Sequence, residues 1–221
     1  MSNQKLNLCV LSGSFEYDSE PSLEAFGTYL EANHRVVPVT IVYKTEDDDA
    51  SLAAIDGADV VLVFTRRLNT VGRELERFKS YCARGGPIVG VRTASHAFQN
   101  WLEFDRGVLG GNYEGHYGAG PVCHVELVPG TEDHPILNGV SPFDSEGSLY
   151  QNTPIAADAM RLLNGLTEDE AEPVAWTRYH NGGRVFYTSL GHQADFRNDE
   201  FLNMLSNAVF WAAGKDHAGG A

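Results

Sequence analysis

The stretch Asp59-Val-Val-Leu-Val-Phe-Thr65, answered after an intervening amphipathic segment by Pro87-Ile-Val-Gly-Val91, decides the fold. A run of β-branched and aromatic residues without polar alternation has no solvent face, so it reads as a central strand buried on both sides. Between the two runs, Val71 to Ala83 repeats apolar residues at helical spacing and is stopped by Gly85-Gly86. Toward the N-terminus, Lys5 to Leu11 reads as a first strand, and Ser12 to Asp18 as its loop. Ser19 to Ala32 then reads as a helix with Pro21 in its first turn and Leu23, Phe26 and Leu30 on one face. Val36 to Tyr43 is the second strand, Glu46 to Asp49 a solvated acidic loop, and Leu52 to Ile55 a short segment before the central run. Alternating strands and helices of this kind predict a parallel sheet covered on both faces.

Beyond the central pair, Gly107 to Gly120 is crowded with glycines and aromatics and predicts an irregular loop. Long structured loops in compact domains tend to carry function. Further strands are expected at Val122 to Val128, Gly147 to Asn152, Arg161 to Leu166, Pro173 to Tyr179 and Arg184 to Leu190. The turn Asn181-Gly-Gly183 joins the last two as an antiparallel hairpin. Asn198 to Ala213 is amphipathic and helical, and Lys215 to Ala221 reads as a disordered tail. Residues 1–214 contain no repeat or linker and are expected to form one domain, a length that encloses a substantial core.

The 221 residues carry a formal net charge of −14, with no cluster of Lys or Arg. Such a surface repels phosphate backbones and anionic headgroups, which argues against nucleic acid and membranes as partners. The N-terminus has no basic segment followed by a long apolar one, and no run approaches the roughly 20 apolar residues of a spanning helix. A cytoplasmic protein is therefore expected. Cys9, Cys82 and Cys123 lie far apart with no Cys-x-x-Cys spacing, so they read as reduced core residues. The partner expected from these features is a small molecule, with a homodimer as the guess for assembly.

Open α/β sheets bind ligands at the carboxyl edge of their strands. Two strand-to-loop junctions bring polar groups there. Gly90-Val-Arg-Thr-Ala-Ser-His-Ala-Phe98 sets Arg92, Thr93 and Ser95 at a tight turn before a presumptive helix, a geometry that can hold an anion or oxyanion. Arg184-Val-Phe-Tyr-Thr-Ser-Leu-Gly-His192 ends a strand in Gly-His and continues as Gln193-Ala-Asp-Phe196. Trp101 follows the first junction and Tyr113 lies in the glycine-rich loop; both are candidates for contact with a substrate ring.

The first junction resembles the strand-turn-helix elbow of class I glutamine amidotransferases, with Arg92 where those enzymes carry the reactive cysteine. Ammonia release from glutamine is not expected without that thiolate. The second junction is similar to the segment delivering their histidine. Together with Pro173-Val-Ala-Trp176, Asn181-Gly-Gly-Arg-Val185 and Asn207-Ala-Val-Phe-Trp-Ala-Ala-Gly214, it closely resembles the ThuA-like, or trehalose utilisation, signature. Leu109-Gly-Gly-Asn-Tyr-Glu-Gly-His116, Asp133-His-Pro-Ile-Leu-Asn-Gly139 and Glu146-Gly-Ser-Leu-Tyr150 extend the resemblance over about the last two thirds of the chain. Many relatives have His-Ser or His-Ala where this chain has Arg92-Thr93, with His96 one turn later.

The resemblance implies a flavodoxin-like, glutamine amidotransferase-like three-layer sandwich with a mostly parallel central sheet and a C-terminal antiparallel hairpin. It also implies a pocket lined by Arg92, His96, His116, Glu146, Tyr150 and His192, and a setting in the catabolism of trehalose or a related sugar. His192, Glu146 and His96 are the acid/base candidates; Arg92, Tyr150, Trp101 and Tyr113 are the substrate-binding ones. His116, His192 and Glu146 could hold a divalent metal, zinc first, with an open position. The resulting expectation is a sugar-acting hydrolase, lyase or isomerase. The alternative is a non-catalytic sugar-binding or assembly module without the cysteine nucleophile. No nucleotide or flavin is expected, since the loop Ser12 to Asp18 lacks the Ser/Thr-rich phosphate-binding pattern.

Overall fold

The computed structural model describes residues 6–118 and 122–215. The expected tail, apart from Lys215, falls outside these residues, as do Lys5 at the start of the first strand and 119–121 at the end of the glycine-rich loop. The elements are β1 (Leu8–Gly13), α1 (Ser19–His34), β2 (Val39–Val42), β3 (Val60–Thr65), α2 (Gly72–Ala83) and β4 (Ile88–Val91). They are followed by β5 (Cys123–Leu127), β6 (Phe143–Ser145), β7 (Met160–Leu166), β8 (Ala171–His180), β9 (Gly183–Thr188) and α3 (Asp199–Ala212). All nine strands join one sheet in the order β2-β1-β3-β4-β9-β8-β7-β5-β6.

β1, β3 and β4 are buried along their whole length, as an apolar run without alternation requires. Because successive side chains point to opposite faces, β3 divides its residues between two cores. Leu62 and Phe64 meet Leu23, Phe26 and Leu30 of α1 and Phe201, Leu205 and Val209 of α3. Val61 and Val63 meet Leu75, Phe78 and Cys82 of α2. The result is the expected three layers. All three cysteines are free and buried in these cores. None of the helices among the described residues is long and apolar enough to cross a membrane.

The sheet has two halves. β2, β1, β3, β4 and β9 pair in parallel. β9, β8, β7, β5 and β6 pair antiparallel, so the antiparallel part extends well beyond the expected hairpin. The hairpin turn itself has Asn181 at φ 50° and Gly182 at φ 83°, the left-handed pair that a two-residue mirror-type turn demands. Asn198 caps α3, its side chain accepting from the backbone N–H groups of Glu200 and Phe201.

Two expected elements are corrected. The strand foreseen at Gly147 to Asn152 is absent: the ladder is made by β6 just before it, and Tyr150 forms only an isolated bridge with His116. The helix expected after the elbow is one 3-10 turn, Arg92–His96. Its continuation is pulled out straight, because the chain after it pairs with the loop following β3: Leu68 N–H donates to Ala97 O (2.8 Å) and Gln99 N–H to Leu68 O (2.9 Å).

Candidate functional site

The carboxyl ends of β1, β3, β4 and β9 converge on Arg92. This residue leaves β4 at φ 45°, a left-handed conformation that costs a non-glycine residue about 1–3 kcal/mol. Its guanidinium is buried, 1% exposed. Nη1 donates to Ser189 O (2.8 Å) at the end of β9, while Nη2 donates to the Tyr17 hydroxyl (3.2 Å) and to Ser148 O (3.4 Å). The rings of Tyr17 and Tyr150 lie against it, 4.3 and 4.7 Å from the guanidinium carbon. At Gly147 a β-carbon would sit 2.8 Å from Nη1, so a side chain there would displace the guanidinium. Nε is buried and has no hydrogen-bond partner. The turn itself is tied from below: the Tyr187 hydroxyl donates to Arg92 O (2.7 Å) and Thr93 Oγ1 donates to Ser14 Oγ (2.9 Å).

An aromatic face extends from this charge. His96 stacks on Tyr113 with ring centroids 4.6 Å apart, and Tyr113 packs on Tyr150 at 4.5 Å. Burial, then the charges of Arg66, Arg67 and Arg92, push the His96 imidazole down to about 3, so it is neutral at physiological pH. Its Nδ1 lies 3.0 Å from Ser95 Oγ, which itself donates to Arg92 O at 3.4 Å. That pattern assigns the proton to Nδ1 and leaves Nε2 as an acceptor.

Tyr113 is held by Asp105, which accepts from its backbone N–H at 2.8 Å. Asp105 lies in a single π-helical turn, Phe104–Leu109, an element found often at functional sites. Its other oxygen is buried without a partner, and burial pushes the carboxyl up to about 6. On the other flank, Asp195 accepts from Gly191 N–H (2.7 Å), His192 N–H (2.9 Å) and Ser145 Oγ (3.0 Å). It thereby clamps the His192 loop to the end of β6. His192 Nδ1 accepts from Ala194 N–H (3.3 Å), which places a ring N–H on Nε2.

Of the residues singled out from sequence, Arg92, His96, Tyr113 and Tyr150 therefore share one cluster. His192 adjoins it through Gly191, where a β-carbon would lie 3.4 Å from that of Arg92. Glu146 neighbours Gly147 but is exposed, and His116 is exposed with Nδ1 2.9 Å from Gly118 O. Trp101 packs instead against Phe78 of α2 and Phe104, 6.0 and 5.2 Å away. The expected metal set of His116, His192 and Glu146 is not gathered: among the described residues, no three His, Cys, Asp or Glu side chains are grouped to hold an ion. Sequence reasoning missed Tyr17, Asp105 and Asp195. Tyr17 sits in the loop after β1, at the sheet edge where a ligand belongs, and Asp195 lies in the quoted Gln193-Ala-Asp-Phe196 run.

A model of the family ThuA, trehalose utilisation, matches residues 7–212. This chain belongs to the ThuA family. The fold agrees with solved ThuA-like proteins. One from Parabacteroides merdae has a TM-score of 0.79 and 18% identity over 98% of this chain and 93% of that one. Another, from Bacteroides uniformis, has 0.71 and 19% over 99% and 96%. A glutamine amidotransferase from Thermotoga maritima shares the fold at 0.57, with 11% identity over 96% and 100%. No curated protein matches the chain in sequence. In this ThuA chain burial raises the thiols of Cys9 and Cys123 to about 11 and of Cys82 to about 12, so none is a thiolate at neutral pH.

Proposed function

We propose that this ThuA protein is an enzyme of carbohydrate catabolism whose substrate, trehalose, a related disaccharide or a keto derivative of one, lies against the partly exposed Tyr113 and His96 rings beside Arg92, with the buried Tyr150 ring beneath them. The observation that supports this reading best is the combination of stacked rings, a neutral imidazole and a buried cation at one carboxyl edge. Aromatic faces take up the C–H faces of a sugar ring, while a few fixed polar groups orient its hydroxyls. His96 Nε2 then accepts from a sugar hydroxyl, and His192 Nε2–H donates to an oxygen on the opposite side of Arg92. The two imidazoles present opposite hydrogen-bonding atoms, an acceptor and a donor, which together orient a hydroxyl-rich ligand. Arg92 acts through Tyr17 and Tyr150, polarising the Tyr17 hydroxyl and holding both rings.

The second reading is a sugar-binding module without catalysis. The dispersed Glu146 and His116, and an arginine in place of the nucleophile, favour it. Incubation with trehalose and with keto-disaccharides, followed by NMR of the sugar, separates the two. Product formation that is lost in both His96→Ala and His192→Ala supports the enzyme. Saturable binding without turnover leaves the module, and absence of both binding and turnover contradicts either reading.

A further inference from the structure

Resting on the reading of Tyr113 and His96 as the ligand face, we propose that Asp105 is its positioning residue: the ionised carboxylate sets the Tyr113 ring against His96, and protonation loosens it. Asp105 anchors the loop with both its main chain and its side chain. Its carbonyl accepts from Gly110 N–H (2.8 Å) and Gly111 N–H (3.2 Å), and Oδ2 accepts from Tyr113 N–H (2.8 Å). Gly110 closes the π-turn at φ 76°, and a β-carbon on Gly111 would lie 2.2 Å from Oδ1, so the chain passes close against the carboxyl on its way to Tyr113. The turn itself is fixed: Phe104, Val108 and Leu109 are buried in the core under α2, and Leu109 O accepts from Trp176 Nε1 (2.8 Å). Beyond Tyr113, Glu114 N–H donates to Gln151 O (3.1 Å). Tyr113 therefore sits between a rigid turn and the segment that carries Tyr150, and the Asp105 side chain is the last link to the turn.

This carboxyl is placed to respond to a proton. It is buried, Oδ1 has no hydrogen-bond partner, and the Tyr113 N–H on Oδ2 is thin solvation for a charge. The ionisable groups packed around it are engaged elsewhere. On its own turn, Arg106 pairs with Glu114 (3.8 Å). From β8, Arg178 donates to the carbonyls of Arg106 (3.4 Å) and Gly107 (3.2 Å) and pairs with Asp158 (3.0 Å). From β9, Tyr187 is a buried neutral phenol whose hydroxyl donates to Arg92 O. Burial therefore holds the carboxyl at about 6, against the pull of the Tyr113 N–H and then of Arg106. That opposition is reciprocal: a bond that favours the ionised form is weakened by the same free energy when the proton binds. A hydrogen bond to a neutral acceptor is also about half as strong as one to a charged acceptor. His96, the other ring of the stack, stays neutral down to about 3 and so registers the position of Tyr113 without titrating itself.

The test is NMR of the His96 ring protons in the intact protein, without ligand, from about pH 5 to about pH 8. In wild type at the upper end of this range, the stacked Tyr113 ring is expected to displace these signals upfield of their position in Tyr113→Leu, and the displacement is expected to shrink as pH falls through about 6. Asp105→Asn, the neutral isostere of the protonated acid, is expected to show the low-pH wild-type signal at every pH. Tyr113→Leu, in which Asp105 still titrates, is expected to show no transition, which separates movement of the ring from the field of the carboxylate. A wild-type signal that does not change across the range overturns the proposal. So does a transition that survives in Asp105→Asn or in Tyr113→Leu, or an Asp105→Asn signal fixed at the high-pH position. With no sugar present, these outcomes are distinct from the failure of the carbohydrate reading, which is the absence of both binding and turnover with trehalose and keto-disaccharides.

Discussion

Two buried charges, one in each half of the sheet, have been treated very differently. Glu172 on β8, 6% exposed, is enclosed by neutral donors: Oε2 accepts from Asn152 N–H (3.1 Å), Thr153 N–H (2.9 Å) and Thr153 Oγ1 (2.7 Å), and Oε1 from the Tyr117 hydroxyl (3.1 Å). It stitches the loop after Tyr150 to the antiparallel strands, on a backbone without strain. Arg92 is as deeply buried, yet it sits in a left-handed conformation, keeps one N–H without a partner and borders the aromatic cluster of Tyr17 and Tyr150. The comparison separates a charge kept for architecture from a charge kept for chemistry. The first is satisfied on every side; the second retains strain and an unmet donor, which persist only where the surroundings impose them for a purpose.

Substitutions can break this contrast. Glu172→Ala strands four donors in a low-dielectric interior and should cost about 3–5 kcal/mol, read from denaturant midpoints. A loss below about 1 kcal/mol would mean that its hydrogen bonds are replaced by water and that the architectural assignment is wrong. The next effect is pH-dependent. Asp105 holds its proton more tightly folded than unfolded, so its contribution to stability is full below about pH 4 and is lost as pH rises through about 6. The stability difference between wild type and Asp105→Asn should therefore change by about 2–3 kcal/mol between pH 4 and 7, wild type being the relatively weaker at pH 7. His96 has the opposite sign: its contribution is present above about pH 6.5 and is lost as pH falls toward about 3. Acid unfolding of His96→Gln should accordingly start at lower pH than that of wild type, and an unchanged acid limb would remove the buried neutral imidazole from the account.

Smaller effects sharpen the comparison. Arg92→Gly relieves the positive φ and removes a buried cation while leaving a void, so it should lose less than about 2 kcal/mol and still abolish sugar binding. If it destabilises as much as Glu172→Ala, Arg92 is architectural too. Tyr113→Leu keeps apolar bulk but loses the stack on His96, and should cost about 0.5–1.5 kcal/mol in thermal unfolding.

Much of this was legible before the structure, for local reasons. The apolar run of β3 admits only a doubly buried strand, and Asn181-Gly182-Gly183 admits only a tight reversal. Elements whose form depends on distant partners were not legible. Gly147 to Asn152 has strand-like composition, but Gly147 is held against the Arg92 guanidinium, while Gln151 N–H donates to Gly115 O and Leu149 O accepts from Tyr117 N–H. These bonds spend its backbone on the glycine-rich loop. At the site, Arg92, His96, Tyr113 and Tyr150 were visible as polar or aromatic residues at junctions. Asp105 was hidden because a π-helical turn has no sequence period to find, and Trp101 was misplaced because an aromatic after a functional turn looks the same whether it faces a ligand or, as here, a helix.

The most direct test of the central claim is a crystal structure of the protein with trehalose or the keto-disaccharide that binds best. The account predicts a sugar ring against Tyr113, with a hydroxyl within hydrogen-bond distance of His96 Nε2 and an oxygen reached by the Tyr17 hydroxyl. A sugar bound instead in the cleft at the far end of α3, between His134, Arg184 and Trp211, with the Arg92 edge empty, would contradict it.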